Sequence, residues 1–369
     1  MRATGNDCFG SPGRNDWYDT VKLNYGIDYR TGNRQFSPVP DTWVKMLKIL
    51  QYWASQGVDG FRCDMVEMTP VEFWGWAVPK IKEQFPGIIF IGEIYQPHIY
   101  RSFIKDGHFD YLYDKVGLYD TLRAVMNGQT SANDISYPLQ STADIRNNML
   151  TFLENHDEQR IASDFFATNA TRALPALIVS VAVGNQPFML YAGEEFGERG
   201  MDKEGYSGMD GRTTIFDYWS VDTLRRWNNN GEYNDAQLTE EEKALQEYHR
   251  KLLTLCNSEE SLKSGRFYDL QYANPNSAHY DAFNVYSYIR ATEKELLLIA
   301  VNFSKETRIQ EIRIPSEAFT YHNIEPQEKS IKATELLSGK SIKCKLHPDA
   351  TIPVTIPALG GVILKLKLS

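Results

Sequence analysis

Three acidic residues stand at or just beyond the ends of short apolar segments that have the composition of β-strands. Asp64 and Glu93 directly follow two of these segments, and Asp157 closely follows a third. In parallel α/β barrels the carboxyl ends of the strands form the rim on which active sites are built. Two carboxyl groups of different proton affinity on such a rim are the arrangement that cleaves glycosidic bonds. The three acids are therefore the candidate catalytic residues.

Arg62 and Asp64 share one face of the first strand, because successive side chains of a strand point to opposite sides. Cys63 lies on the other face, and we expect it to be a buried, reduced thiol. A cation beside Asp64 favours the ionised carboxylate that a nucleophile needs. The apolar residues before Glu93 favour the protonated form that a proton donor needs. Each acid alone is explained as a helix cap or a loop residue, and only their combination indicates catalysis.

Helix-like and strand-like segments alternate from about residue 41 to about residue 263. The apolar spacing predicts a helix that begins with Asp41 as its cap and ends before Gly57. Thr69 and Glu72 form a capping-box pattern that predicts a second helix. Short apolar strands are predicted at about 58–64, 88–93, 109–113, 149–155 and 187–191. Apolar strands separated by helices indicate a parallel sheet that is covered on both sides.

The pattern changes at about residue 266, where strand-like segments take over. They lie at about 283–289, 295–303, 308–314, 351–356 and 362–368, and no helix is predicted among them. We therefore expect an all-β C-terminal domain, a sandwich, over residues 266–369. The helix that precedes this domain is predicted to begin with a capping box of Thr239 and Glu242.

The composition excludes several classes of protein. With 39 basic and 48 acidic side chains the formal net charge is −9, which argues against nucleic acid as a partner. The apolar content of 42% suffices for a large core and excludes a disordered chain. The longest apolar run, 174–183, is too short to span a bilayer. Four scattered cysteines, Cys8 among them, lack the spacing of a disulfide framework or a zinc site, and no signal peptide is visible.

Three segments carry a resemblance to a known family: residues 57–64 (GVDGFRCD), 91–93 (IGE) and 152–157 (FLENHD). They resemble the second, third and fourth signature regions of the α-amylase family of retaining glycoside hydrolases, glycoside hydrolase family 13. Residues 187–195 are similar to the family's eighth strand and the loop after it, and residues 21–24 to its fifth region. The resemblance covers nearly the whole chain. It implies an α/β fold, a (β/α)8 TIM-barrel catalytic domain, followed by the family's C-terminal sandwich.

The resemblance also implies a role for each candidate residue. Asp64 is the nucleophile that attacks the anomeric carbon, and Glu93 protonates the leaving oxygen and then activates water. Asp157 binds hydroxyl groups of the distorted sugar and stabilises the oxocarbenium-like transition state. For a retaining reaction the carboxyl groups of Asp64 and Glu93 are expected about 5–5.5 Å apart. The sugar-binding residues that the resemblance implies are Arg62, His156, Asn155, Arg160 and Tyr95, where simple packing is the alternative for Tyr95.

Two departures from the family pattern limit what the resemblance implies. The Lys-His pair that often follows the nucleophile reads Glu67 and Met68, so the ligands of a structural calcium ion are not identifiable, and the chemistry itself requires no cofactor. The family's first region has no counterpart, and only about strands 4 to 8 of the barrel are found. We therefore expect residues 1–30 to hold the end of the family's inserted B domain. The isolated chain is then expected to be truncated and inactive.

The sequence thus predicts a partial catalytic domain over residues 1–265 and a β-sandwich over residues 266–369. The expected reaction is cleavage of α-glucosidic bonds in starch-type glucans and maltooligosaccharides by double displacement, without nucleic acid or a membrane span. An α-glucan transglycosylase, such as a branching enzyme or a glucanotransferase, is the first alternative because it would share the three acids. A catalytically silent, glycan-binding relative is the second, although such a protein has no reason to keep these polar residues together.

Overall fold

The computed structural model describes residues 23–28, 30–201, 209–213, 221–348 and 350–368. Cys8 and most of residues 1–30, the predicted end of a B domain, lie outside the described residues. The contacts divide the chain into two units, one up to Tyr113 and one from Asp114 onward. The predicted boundary between residues 265 and 266 is a different division and stays a prediction.

The first unit contains parallel strands that alternate with helices. The strands are β1 (Gly60–Cys63), β2 (Ile89–Gly92) and β3 (Tyr111–Tyr113), and the helices are α1 (Asp41–Ser55), α2 (Val71–Gln84) and α3 (Tyr100–Lys105). β1 pairs in parallel with β2, with Arg62 opposite Ile91, and β2 pairs in parallel with β3. The alternation of helix and parallel strand is the one that the sequence predicts for this region.

The two predicted helix caps of this unit are wrong. The residue before each helix is a proline, Pro40 for α1 and Pro70 for α2, and no side chain caps either start. Asp41 is already the first helical residue, and Thr69 lies one residue too early to cap α2. Proline suits the start of a helix because its missing N–H group would have no partner within the helix. This property of proline overrides the capping pattern of Thr69 and Glu72.

Cys63 ends β1 with a buried thiol that forms no disulfide, as predicted. Burial raises the pKa of the Cys63 thiol to about 12. A neutral, inaccessible thiol reacts slowly, so we expect Cys63 to resist alkylation in the folded protein. Peptide mapping of iodoacetamide-treated Cys8→Ser protein should show Cys63 unmodified in buffer and fully modified in denaturant. Rapid modification of Cys63 in buffer would contradict the placement of this side chain.

The second unit contains a parallel strand pair and most of the helices. β4 (Met149–Phe152) pairs in parallel with β5 (Phe188–Met189). The helices are α4 (Asp120–Met126), α5 (Ser136–Ser141), α6 (Leu174–Ala182), α7 (Asp222–Asn228), α8 (Glu240–Ser258), α9 (Glu260–Lys263) and α10 (Ser316–His322). Thr239 and Glu242 form the predicted capping box at the start of α8. None of the helices in the described ranges combines the length and apolarity that crossing a bilayer requires.

The C-terminal part of this unit is rich in β-strands, as predicted, and the strands pair in antiparallel fashion. They are β6 (Arg266–Asp269), β7 (Val285–Ala291), β8 (Glu295–Asn302), β9 (Arg308–Arg313), β10 (Ile331–Glu335), β11 (Ser341–Cys344), β12 (Thr351–Ile356) and β13 (Gly360–Lys367). Six of them form a sheet of order β11-β10-β13-β8-β7-β6, and β9 pairs with β12. The expectation of no helix is wrong, because α10 buries Ala318, Phe319 and His322 on one face. Its seven residues are too few to show a helical period.

Helix α6 and the six-stranded sheet share one apolar core, which includes Leu177, Ile299 and Ile363. Arg290 on β7 is fully buried at the same junction, where it bonds the Asn185 side chain and no carboxylate among the described residues. Its guanidinium donates to four backbone carbonyl oxygens, those of Ala182 (2.9 Å), Gly184 (2.7 Å), Leu262 (3.1 Å) and Gly265 (2.9 Å). We call this group the Arg290 clamp. It joins β7 to the chain that follows α6 and to the chain around α9.

Candidate active site

Asp64 and Glu93 contact the same guanidinium group. They follow β1 and β2, which run in parallel and in register, so both side chains leave the same end of the sheet. Arg62 donates from Nη1 to Asp64 Oδ1 at 2.5 Å, and its Nη2 lies 3.0 Å from Glu93 Oε1. The structure therefore brings Arg62, Asp64 and Glu93 together in the first unit.

The two carboxyl groups differ in their access to solvent. The Asp64 side chain is 61% exposed, whereas that of Glu93 is 4% exposed. An accessible, ionised carboxylate beside a cation is suited to attack on carbon. A buried carboxyl group with fixed partners is suited to directed proton transfer. The assignment of Asp64 as the nucleophile and Glu93 as the proton donor stays a prediction.

Three donors surround the carboxylate of Glu93. Oε1 accepts a hydrogen bond from the Tyr95 hydroxyl at 2.7 Å and faces the Arg62 guanidinium, while Oε2 accepts from the Met65 N–H at 2.8 Å. Met65 has a φ of 41°, in the left-handed region that side chains rarely adopt. Backbone strain of this kind is often retained at functional sites. Sequence reasoning missed Met65, because a backbone amide carries no signal in the residue type.

Tyr113 supports Arg62 from the end of β3. Its hydroxyl lies 3.3 Å from Arg62 Nε, and its ring centroid lies 5.3 Å from the Arg62 Cζ. Burial would lower the pKa of Arg62, but the bonds with Tyr113, Asp64 and Glu93 raise it above its usual range. Tyr113 was not among the predicted site residues. Its position at the carboxyl end of β3 could have indicated it, because the predicted acids follow neighbouring strands in the same way.

Glu67 takes part in this cluster, where the family pattern often has a lysine. Its Oε1 accepts the Tyr95 N–H at 3.3 Å, and its buried Oε2 has no hydrogen-bond partner within the described part of the chain. Burial raises the pKa of Glu67, and the nearby Glu93 raises it further. Tyr95 thus connects Glu67 with Glu93 through its backbone and its hydroxyl. Its predicted stacking on an acceptor sugar stays a prediction.

The loop after β4 in the second unit carries the third acid. Asn155 is buried, and its Oδ1 accepts the N–H groups of Asp157 at 2.9 Å and Glu158 at 2.8 Å. This turn fixes the backbone of Asp157. His156 Nε2 lies 3.3 Å from Asp157 Oδ2, and both side chains are partly exposed. The predicted contacts of Asn155, His156 and Asp157 with sugar stay predictions.

The structure places Arg160 in the interior of the second unit rather than on a surface. Its Nη1 donates to Glu154 Oε2 at 2.6 Å, and its Nη2 donates to the Ala192 carbonyl at 2.7 Å and to Thr213 Oγ1 at 2.8 Å. Its Cζ lies 4.1 Å from the centroid of the Tyr191 ring. These contacts anchor the loop that carries Asp157, and a direct contact of Arg160 with substrate stays a prediction.

Glu194 is a buried carboxyl group beside the Arg160 cluster. Its Oε1 has no hydrogen-bond partner among the residues that the structure describes. Burial, and then the neighbouring Glu154, raise the pKa of Glu194 well above its usual range. Glu194 therefore keeps its proton in the folded protein at a pH where the unfolded chain has released it. It follows that the free energy of unfolding falls as pH rises through that window.

We therefore expect Glu194→Gln to stabilise the protein at neutral pH, because the amide is neutral in both states. The gain should vanish at mildly acidic pH, where glutamate is protonated in the folded and unfolded chains alike. Urea unfolding of both proteins at the two pH values measures the difference. Glu306→Gln, which changes a glutamate whose side chain is 76% exposed, is the matched control. An equal difference at both pH values would show that ionisation of Glu194 is not the cause.

The described residues contain no group of three or more His, Cys, Asp or Glu side chains placed to hold a metal ion. A structural calcium ion stays a prediction.

Comparison with known proteins connects the geometry to a family. The family described as "Alpha amylase, catalytic domain" matches residues 39–265, which is more than half of the chain. The alpha-amylase MalA of Haloarcula japonica is 32% identical over 195 residues, which are 50% of this chain and 28% of MalA. An alpha-1,4-glucan:maltose-1-phosphate maltosyltransferase of Rhodospirillum rubrum is 34% identical over 68 residues, 18% of this chain and 10% of that enzyme. The chain thus spans well under two thirds of these curated relatives.

The crystal structure of a noncanonic maltogenic alpha-amylase, AmyB from Thermotoga neapolitana, is similar in fold to most of this chain. The TM-score is 0.64 at 18% identity, and the match covers 94% of this chain and 72% of AmyB. At this level of identity the likeness establishes the fold. The parallel strands followed by an antiparallel β-region agree with part of a barrel and a β C-terminal domain.

Proposed function

This chain belongs to the α-amylase family of glycoside hydrolases and transferases, and we propose that it is a retaining hydrolase of α-glucosidic bonds. Its substrates are starch-type glucans and maltooligosaccharides. The observation that carries the proposal is the Arg62 guanidinium between an exposed Asp64 and a buried Glu93. The described strands then correspond to about strands 4 to 8 of an eight-stranded barrel.

The reaction proceeds in two displacements. Asp64 Oδ attacks the anomeric carbon and forms a covalent glycosyl ester, while the bond to the leaving oxygen breaks and Glu93 gives that oxygen its proton. Glu93, now a carboxylate, takes a proton from water, and the resulting hydroxide displaces Asp64 from the sugar. Arg62 stays charged throughout and balances whichever carboxylate is ionised.

The second unit supplies the remaining roles. Asp157 binds sugar hydroxyl groups and stabilises the oxocarbenium-like transition state, with His156 beside it. The turn at Asn155 and the buried ion pair of Arg160 with Glu154 support this proposal, because they fix the loop that carries Asp157. Direct contacts of Asn155, Arg160 and Tyr95 with sugar belong to the same proposal.

Product analysis tests the reaction type. The full-length gene product is incubated with maltoheptaose, and the products are separated by length and their anomeric configuration is followed by NMR from the first turnover. A retaining hydrolase gives only shorter chains, initially as α-anomers. Initial β-anomers, or no cleavage, would contradict the proposal. The same assay on residues 1–369 alone tests the expectation that this chain is inactive.

An α-glucan transglycosylase, such as a branching enzyme or a glucanotransferase, is the alternative. It has the same acids, and the relative from Rhodospirillum rubrum is a maltosyltransferase by name. Chains longer than maltoheptaose in the product mixture would favour it. A silent, glycan-binding relative would bind maltoheptaose and leave its length unchanged.

A further inference from the structure

The hydrogen-bond partners of Glu93 favour one of the two protonation states that the proposed reaction requires. In the structure both of its oxygens face donors: Arg62 and Tyr95 at Oε1, and the Met65 N–H at Oε2. Glu93 is 3% exposed, so solvent does not replace these partners. This arrangement stabilises the ionised carboxylate. It suits the second half of the proposed reaction, in which Glu93 is a base.

The first half requires a protonated Glu93, whose O–H group needs an acceptor. A guanidinium has no acceptor, and a backbone N–H only donates. A phenol hydroxyl both donates and accepts. Among the partners that the described residues bring to Glu93, Tyr95 is therefore the one that can reverse its hydrogen bond. The reversal needs only a rotation of the hydroxyl about its bond to the ring.

Tyr95 is also held through its backbone. Glu67 Oε1 accepts the Tyr95 N–H at 3.3 Å, so the residue is bonded at its backbone and at the tip of its side chain. The remaining charged and titratable groups around Glu93 are Arg62, Asp64 on the same guanidinium, and Tyr113 behind it. Glu67 is close enough to Glu93 for the two carboxyl groups to interact electrostatically, and Tyr95 is bonded to both residues.

We propose that Tyr95 is the positioning residue that serves both protonation states of Glu93. The Tyr95 hydroxyl donates a hydrogen bond to Glu93 when Glu93 is a carboxylate and accepts one when Glu93 is a carboxylic acid. When substrate is bound, the protonated Glu93 exchanges this hydrogen bond for one to the glycosidic oxygen. Tyr95 keeps its own proton throughout, and the transferred proton passes from Glu93 to the leaving oxygen and from water back to Glu93. This inference rests on the proposed function, because it assumes that Glu93 alternates between acid and base.

Tyr95→Phe removes the hydroxyl and keeps the ring. A hydrogen bond to a charged carboxylate is stronger than one to the neutral acid, so its loss favours the protonated form. The midpoint for ionisation of Glu93 should therefore rise by about one pH unit. The midpoint is measured by carbon NMR of the full-length gene product labelled at the glutamate carboxyl carbon, with the Glu93 signal assigned by its loss in Glu93→Gln. An unchanged midpoint in Tyr95→Phe would overturn the proposal.

Two further variants separate the hydroxyl from the ring. Tyr95→Ala should shift the Glu93 midpoint as far as Tyr95→Phe, and it should raise KM further only if the ring also stacks on sugar. Tyr113→Phe removes a hydroxyl that contacts Arg62 and not Glu93, so it should shift the Glu93 midpoint less than Tyr95→Phe does. Equal shifts in the two variants would show that the shift arises through Arg62 and not through the Tyr95 hydroxyl. The basic limb of the pH profile of kcat/KM should move with the midpoint. If the protein cleaves no glucan, the proposed function fails while the NMR titration still decides the role of Tyr95.

Discussion

Asp64→Asn is expected to lower kcat on maltooligosaccharides by about 10³-fold or more in the full-length gene product. The amide cannot form the covalent glycosyl intermediate, and no other exposed carboxylate lies on the Arg62 guanidinium among the described residues. Thermal unfolding should be little changed, because the Asp64 side chain is largely exposed. Asp59→Asn changes an exposed aspartate five positions earlier in the same segment and serves as the matched control. A loss of only a few-fold in Asp64→Asn would remove Asp64 from the nucleophile's role.

Glu93→Ala should lose activity on maltooligosaccharides to a comparable extent but keep part of it on α-maltosyl fluoride. Fluoride leaves without a proton, so the first displacement does not need the acid. Azide should then accelerate turnover by attacking the intermediate, and the product should be a glycosyl azide of retained configuration. A product of inverted configuration would show that no covalent intermediate forms on Asp64.

Arg290→Met is expected to lower the free energy of unfolding by about 3–5 kcal/mol, a large part of the total of about 5–15 kcal/mol that is typical of proteins. The substitution leaves the buried carbonyl groups of the Arg290 clamp without donors, and each such group costs about 1–3 kcal/mol. Burial lowers the pKa of Arg290 to about 10, so the side chain is still charged at neutral pH. The clamp therefore offsets the cost of burying that charge.

Arg266→Met is the matched control for the clamp, because Arg266 is an exposed arginine of the same unit whose guanidinium lies over the Tyr321 ring. Its effect should stay within about 0.5 kcal/mol. Urea unfolding followed by circular dichroism measures both variants. Equal effects in the two variants would show that the clamp does not stabilise the unit.

The sequence predicted those features that depend on residue type and regular spacing. The parallel strands and the alternation that sets Cys63 apart from Arg62 and Asp64 are confirmed. The starts of α1 and α2 were wrong, because a proline beside a potential cap changes which residue begins the helix. Helix α10 was missed because so short an element shows no period.

The sequence also predicted only part of the candidate site. The proximity of Asp64, Glu93 and Arg62 was predictable from their positions, because the carboxyl ends of parallel strands meet at one rim of the sheet. The Met65 N–H was not predictable, because it depends on a left-handed backbone conformation. The hydroxyl of Tyr95 and its contact with Glu93 were not predictable either, because a tyrosine two residues after a strand has many rotamers and only the packed loop selects one.

The Arg290 clamp has a consequence for modularity. A gene divided between residues 265 and 266 would place Arg290 on one fragment and all four of its backbone acceptors on the other. The β-region would then lose the backbone acceptors of Arg290, and the remainder would lose the sheet that covers α6. Transfer of the β-region to another catalytic domain should therefore succeed only when the segments 182–185 and 262–265 are transferred with it.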